Sequence, residues 1–97
     1  MPAKRRGRYW VYIAQCADGT YYTGSTNDLE ARLKLHNAGL GAKYVRGRGP
    51  VRIVYAKAYR SCGGAMKAEW RLKRLTRKEK ARLALAYEQM TDDLSLH

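Results

Sequence analysis

Apolar and polar positions alternate most clearly near the start of the chain. Residues 9–16, Tyr-Trp-Val-Tyr-Ile-Ala-Gln-Cys, are rich in aromatic and β-branched side chains and predict a strand. Ala17-Asp18-Gly19 is a hairpin signal, and Tyr21 to Ser25 reads as the returning strand. The period then lengthens. Asp28 is suited to cap a helix over about Leu29–Ala38, ended by Gly39, with Leu29, Leu33 and Leu40 marking its inward stripe. A Gly- and Arg-rich loop, Leu40 to Pro50, leads into a third strand from Val51 to Tyr59. Its alternation sets Val51, Ile53, Tyr55 and Tyr59 on one face. Ser61 caps a helix from about Gly64 to Leu75, with Ala65, Ala68, Leu72 and Leu75 as its apolar stripe. Thr76-Arg-Lys-Glu79 is a capping-box pattern that opens a last helix through about Met90. The order β-β-α-β-α-α predicts an α+β domain: a three-stranded, mostly antiparallel sheet flanked by helices. Residues 1–8 read as a flexible basic segment, 9–90 as the domain, and 91–97 as a frayed tail.

Composition adds a partner to this picture. The 97 residues make one domain with one modest core. Hydrophobic content is 45%, enough for a folded chain. Twenty Lys and Arg against eight Asp and Glu give a net charge of +12. From Lys43 to Arg82 there are fourteen basic residues and only two acids, Glu69 and Glu79. Such a field attracts a polyanion, and nucleic acid is the expected partner. A membrane surface is not, because no stretch joins a basic face to a broad exposed apolar one. The basic start lacks the apolar run of a signal peptide, and no stretch approaches a membrane span. Cys16 and Cys62 are isolated and fit neither a disulfide framework nor zinc-ligand spacing. The chain is expected to be cytoplasmic, with both thiols reduced and half-buried.

Several polar residues sit where apolar ones belong. Arg32 and His36 lie at i+3 and i+7 from Leu29, on or beside the stripe of the first helix, and point the same way. Packing alone accounts for them if Arg32 snorkels and His36 closes a turn. Glu69 lies at the edge of its helix stripe among Lys67, Arg71, Lys73 and Arg74. It is either a weak surface ion pair with Arg71 or Lys73, or an oxygen ligand for Mg²⁺ or Mn²⁺. Tyr9, Tyr12, Tyr21 and Tyr22 crowd one hairpin, and the chain has no Phe. Buried tyrosine hydroxyls need partners, which points to a use for those oxygens.

Taken together, these positions resemble the GIY-YIG nuclease family. The family's first motif corresponds to Val11-Tyr12-Ile13 and its second to Tyr22-Thr23-Gly24. The next signature looks like Ser25-Thr-Asn-Asp-Leu-Glu-Ala-Arg32-Leu-Lys-Leu-His36-Asn37, and the last is the helix carrying Glu69. The likeness covers about Trp10 to Lys80, and the compact loop looks like that of the small stand-alone bacterial members. The first motif departs from the family pattern in reading Val-Tyr-Ile, and Ser25 stands where some branches carry Lys.

The resemblance implies a metal-dependent endonuclease acting on DNA in preference to RNA, in repair or processing. Tyr12 and Tyr22 would line the attack side, with Tyr12 or His36 as the base. Arg32 would stabilise charge on the phosphate, and Glu69 would hold Mg²⁺ or Mn²⁺. Lys43, Arg46, Arg48 and Lys73 would contact the backbone. The alternative is a nucleic-acid-binding module with this fold and little or no chemistry.

A shared site for the two tyrosines constrains the hairpin. Directly opposed residues project from one face, so a two-residue turn would put Tyr12 and Tyr22 on opposite sides. A three-residue loop, Ala17-Asp18-Gly19, instead sets Cys16 against Thr20, Ala14 against Tyr22 and Tyr12 against Gly24. The third loop residue then needs positive φ, which suits Gly19. Gly24 opposite Tyr12 is expected to leave space over the ring for substrate.

Overall fold

A computed structural model describes residues 8–95, with side-chain burial defined as far as residue 91. Strands β1 (Tyr9–Gln15), β2 (Tyr21–Thr26) and β3 (Arg52–Tyr59) form one antiparallel sheet in the order β2-β1-β3. The expected flexible segment lies outside the described residues apart from Arg8. Helix α1 (Leu29–Asn37) follows β2, and helices α2 (Cys62–Lys73) and α3 (Arg77–Ser95) follow β3. The element order is the one the sequence predicts.

The hairpin has the odd parity that the shared-site argument requires. Tyr12 pairs with Gly24 and Ala14 with Tyr22. The Cys16 amide donates to the Thr20 carbonyl at 2.8 Å, closing the loop over Ala17, Asp18 and Gly19. Gly19 sits at φ +87°, a conformation that a Cβ would strain. The Asp18 carboxylate accepts from the Thr20 amide and hydroxyl, pinning the tip.

Helix ends follow the cap chemistry written in the sequence. Asp28 accepts from the Ala31 amide at 3.1 Å and Ser61 from the Gly64 amide at 3.0 Å. Thr76 and Glu79 exchange both bonds of a capping box, at 2.8 and 3.1 Å. α3 continues past Met90 to Ser95, so the boundary expected at Met90 falls inside the helix. No Pro or Gly follows Met90 to stop it.

The sheet carries helices on both faces. On one, Val11 packs with Ala65 and Ala68 of α2, bordered by Tyr9, Tyr59 and Leu72. Tyr55 of β3 meets Tyr87 of α3 on the same side, ring to ring at 5.8 Å. On the other, Cys16, Val45 and Val51 pack with Tyr22, Leu33 and Ala42, beneath α1 and the loop.

Three expectations are corrected. A register shift between Ile13 and Ala14 inserts Val54 as an extra residue in β3. Ile53 therefore lies opposite Ala14, and Val51 packs with Cys16 beneath α1 rather than on the face of Tyr55 and Tyr59, because a bulge breaks the two-residue alternation. Leu40 is exposed rather than part of a stripe, since α1 ends at Asn37 and Gly39 at φ +79° turns the chain away. Cys62 is exposed, while Cys16 is buried.

Candidate active site

The antiparallel pairing places Tyr12 and Tyr22 on the α1 face of the sheet, with ring centroids 6.3 Å apart. Gly24 is the residue that permits this. A Cβ there would stand 2.8 Å from the Tyr12 hydroxyl and 2.9 Å from Cε2 of Tyr22. The space expected to lie open for substrate is instead filled by the two phenol rings. The glycine is needed because Tyr12 packs directly on the neighbouring strand's backbone.

α1 brings His36 to these rings. Its Nε2 lies 2.9 Å from the Tyr12 hydroxyl, and its ring meets Tyr22 edge-on at 5.6 Å. Tyr12 is 1% exposed and His36 2%, so the pair is buried at rest. Two features fix α1 at this height. The Asn37 side chain accepts from the Val51 amide at 2.7 Å and donates to the Val51 carbonyl at 3.2 Å, tying the end of α1 to the approach of β3. Gly41 packs against the imidazole so closely that a Cβ would collide with Nδ1. That Nδ1 is buried without a hydrogen-bond partner among the described residues.

The electrostatics follow from burial and from Arg32. Burial first, then the neighbouring Tyr22, pushes the Tyr12 phenol well above its ordinary value. Arg32 partly opposes this and Glu69 adds to it. Burial first, then the Arg32 cation, pushes His36 below its ordinary 6.5. At neutral pH the resting pair is a neutral phenol and a neutral imidazole. Arg32 is half-buried, and among the described residues no acceptor is hydrogen-bonded to its guanidinium. Its fork is available to an anion.

Glu69 comes from α2, which lies against β1 and the edge strand β2. Its side chain is 16% exposed and its carboxylate takes Lys73 Nζ at 3.1 Å, the i,i+4 ion pair that simple packing foresees. The same carboxylate acts electrostatically on Tyr12. Among the described residues no cluster of three or more His, Cys, Asp or Glu forms a metal cage. One carboxylate fits a Mg²⁺ or Mn²⁺ ion that keeps waters and takes phosphate oxygens, the usual habit of Mg²⁺. It does not fit zinc.

The expected backbone contacts are spread more widely. Lys43 and Arg46 are exposed on and after the 3₁₀ turn Lys43–Val45. Arg46 donates to the Gly41 carbonyl. Arg48 is committed at rest, paired to Asp18 at 2.6 Å and lying over the Tyr44 ring at 4.5 Å. Lys73 sits on Glu69. Sequence reading missed Tyr44, whose ring stacks on Tyr22 at 6.1 Å, and Gly41. The Gly39-Leu-Gly-Ala-Lys43 run contains Gly41, while nothing in the sequence singled out Tyr44.

A sequence profile of the GIY-YIG catalytic domain matches residues 8–82. The chain is 48% identical over 82 residues to UPF0213 protein OB0043 of Oceanobacillus iheyensis, covering 84% of this chain and 95% of that one. It is 49% identical over 73 residues to UPF0213 protein VNG_2274C of Halobacterium salinarum, covering 75% and 95%. The solution structure of the UPF0213 protein BH0048 from Bacillus halodurans superposes with a TM-score of 0.53 at 46% identity, covering 81% of this chain and 84% of that one. Protein EF2693 from E. faecalis does so with the same score at 36% identity, covering 93% and 88%. On the profile match and these identities, with the paired tyrosines in place, the chain belongs to the GIY-YIG family.

Proposed function

We propose that this protein is a metal-dependent endonuclease that hydrolyses phosphodiester bonds in DNA, acting in repair or processing. The observation that carries the reading is the buried Tyr12–His36 pair beside an Arg32 fork that has no hydrogen-bond acceptor among the described residues. A fold kept only for binding has no need of a buried phenol–imidazole bond within its cationic face.

In this reading Tyr22 and Arg32, both half-buried, meet the scissile phosphate. The raised Tyr12 phenol is too weak an acid to rest as phenolate. Neutral His36 is the group able to hold a proton, and its Nε2 is reached through the Tyr12 hydroxyl. Once bound substrate delivers a water to the buried hydroxyl, Tyr12 relays: it takes a proton from that water as its own passes to Nε2, leaving no free phenolate. Arg32 offsets the charge growing on the phosphate. Glu69 would hold Mg²⁺ or Mn²⁺, which supplies Lewis-acid neutralisation of the leaving oxygen. Lys73, with 56% of its side chain exposed, moves aside readily and is then free for a phosphate.

The experiment is Arg32→Ala, with cleavage and metal-free binding measured on labelled single-stranded, duplex and branched substrates. Rate should fall by about 10²-fold or more while affinity falls by less than tenfold. If the wild type cleaves none of them and Arg32→Ala weakens binding as much as loss of Lys43, Arg46 and Arg48 together, the protein is a binding module.

A further inference from the structure

A notch of about 210 Å³ opens between the hairpin tip, the 3₁₀ turn and the start of α3, lined by Thr20, Tyr21, Tyr44, Arg77 and Lys80. None of the roles above uses it. Two cations, Arg77 and Lys80, converge there, and no carboxylate lines it. Lys80 is half-buried, and burial and the like charge of Lys73 both disfavour its ammonium form. Arg77 spends one N–H on the Gly19 carbonyl at 3.2 Å, which holds the guanidinium against the hairpin with its remaining donors unspent. Of the nearby acids, Glu79 is occupied in the helix cap with Thr76, and Asp18, which accepts from Thr20, is paired with Arg48. A half-buried Lys80 beside the exposed Arg77, with no carboxylate lining the notch, is stabilised by an anion.

The shape says which anion. Tyr44 walls the notch, yet its ring is stacked on Tyr22 and overlain by Arg48. It offers an edge rather than a face, so a base cannot stack there. A compact tetrahedral oxyanion suits the remaining donors. Two independent links join the notch to the active site: Tyr44 stacks on Tyr22, and Lys80 feels Lys73, the partner of Glu69. We infer that Arg77 and Lys80 bind a second backbone phosphate of the strand whose scissile phosphate lies at Tyr22 and Arg32. The identity of that strand rests on the nuclease reading. The anion site itself rests on the notch.

The test compares Arg77→Gln/Lys80→Gln with Lys67→Gln/Lys78→Gln, which removes two exposed cations outside the notch. Binding of a labelled DNA oligonucleotide is measured by anisotropy in EDTA across a salt series. The notch double variant should lose about tenfold in affinity. Its log–log salt slope should fall by roughly 0.7–0.9 for each phosphate that is no longer neutralised. The control should change both by less than half as much. Lys80→Gln alone leaves the Arg77–Gly19 bond intact and should carry about half of the slope change. Lys80→Arg should restore it. Under cleavage conditions the notch variant should raise KM and leave kcat unchanged. Equal losses in the two double variants would mean bulk charge rather than a site, and an unchanged slope in the notch variant would overturn the inference. If the slope falls while the wild type never cleaves, the notch stands and the nuclease reading fails. If the wild type cleaves and the slope does not fall, the reverse holds.

Discussion

Tyr12→Phe removes one oxygen and nothing else, and the surroundings of that oxygen set the size of the effect. It is the hydrogen-bond partner of His36 Nε2 at 2.9 Å, in a pair whose members are at most 2% exposed. His36 Nδ1 already lacks a partner among the described residues, so the variant leaves a buried imidazole with both nitrogens unpaired. A buried group stripped of its partner costs about 1–3 kcal/mol. For a domain of this size each kcal/mol moves Tm by roughly 4–8 °C, so calorimetry should show a fall of about 5–20 °C. Tyr59→Phe is the control, since the Tyr59 hydroxyl bonds to no described residue; it should stay within about 0.5 kcal/mol of wild type. A double-mutant cycle isolates the pair, because Tyr12→Phe in a His36→Leu background leaves no orphan and should cost much less. Cleavage by Tyr12→Phe should fall by about 10²-fold or more, the usual weight of a positioned proton carrier. A variant as stable as wild type, with additive energies in the cycle and full cleavage, would refute the buried relay.

Three further outcomes follow from the same geometry. Gly24→Ala puts a methyl where the Tyr12 hydroxyl and the Tyr22 ring already stand, and overpacking of this kind costs about 1–3 kcal/mol. Cleavage should fall further than stability, and normal activity would mean that the tyrosine spacing is irrelevant. His36 is depressed below 6.5, so the unfolded chain takes up a proton there before the folded one does. Its contribution is therefore present above about pH 6.5 and lost as pH falls from there through the folded value; urea melts across this range should show the loss in wild type and not in His36→Gln. Neutralising Lys43, Arg46 and Arg48 together should weaken DNA binding without regard to sequence and lower the salt slope, while kcat at saturating substrate holds. Loss of kcat instead would place one of the three at the reacting phosphate.

Much of the fold was legible because local signals agreed. Asp28, Ser61 and the Thr76–Glu79 box each cap the helix that the sequence assigns them. The hairpin parity was recoverable because a site shared by Tyr12 and Tyr22 excludes the two-residue turn, and a positive-φ Gly19 suits the three-residue loop. What failed was non-local. The β3 bulge at Val54 depends on pairing with β1, and nothing within residues 52–59 distinguishes a bulged strand from a regular one. Of the candidate site, Tyr12, Tyr22 and His36 do converge, since one face of a hairpin and one face of a helix carry them. The Tyr44 stack and the notch at Arg77 and Lys80 join segments far apart in sequence, and no periodicity registers such meetings. The Gly41 contact is nearer in sequence, but it depends on how the irregular loop folds back over His36.

The central claim is that one carboxylate anchors a divalent ion at a phosphodiester-cleaving site, and Glu69→Gln tests it most directly. The substitution keeps the shape and removes the charge, and the ion pair it breaks, to a largely exposed Lys73, is worth at most about 1 kcal/mol. Labelled DNA is incubated with wild type and variant in Mg²⁺, in Mn²⁺ and in EDTA, with metal-free binding measured in parallel. The account predicts cleavage by wild type only with metal, at least about 10²-fold less by the variant, and metal-free binding by the variant that is unchanged or tighter. Full wild-type cleavage in EDTA, or a Glu69→Gln variant that cleaves as wild type does, would contradict it.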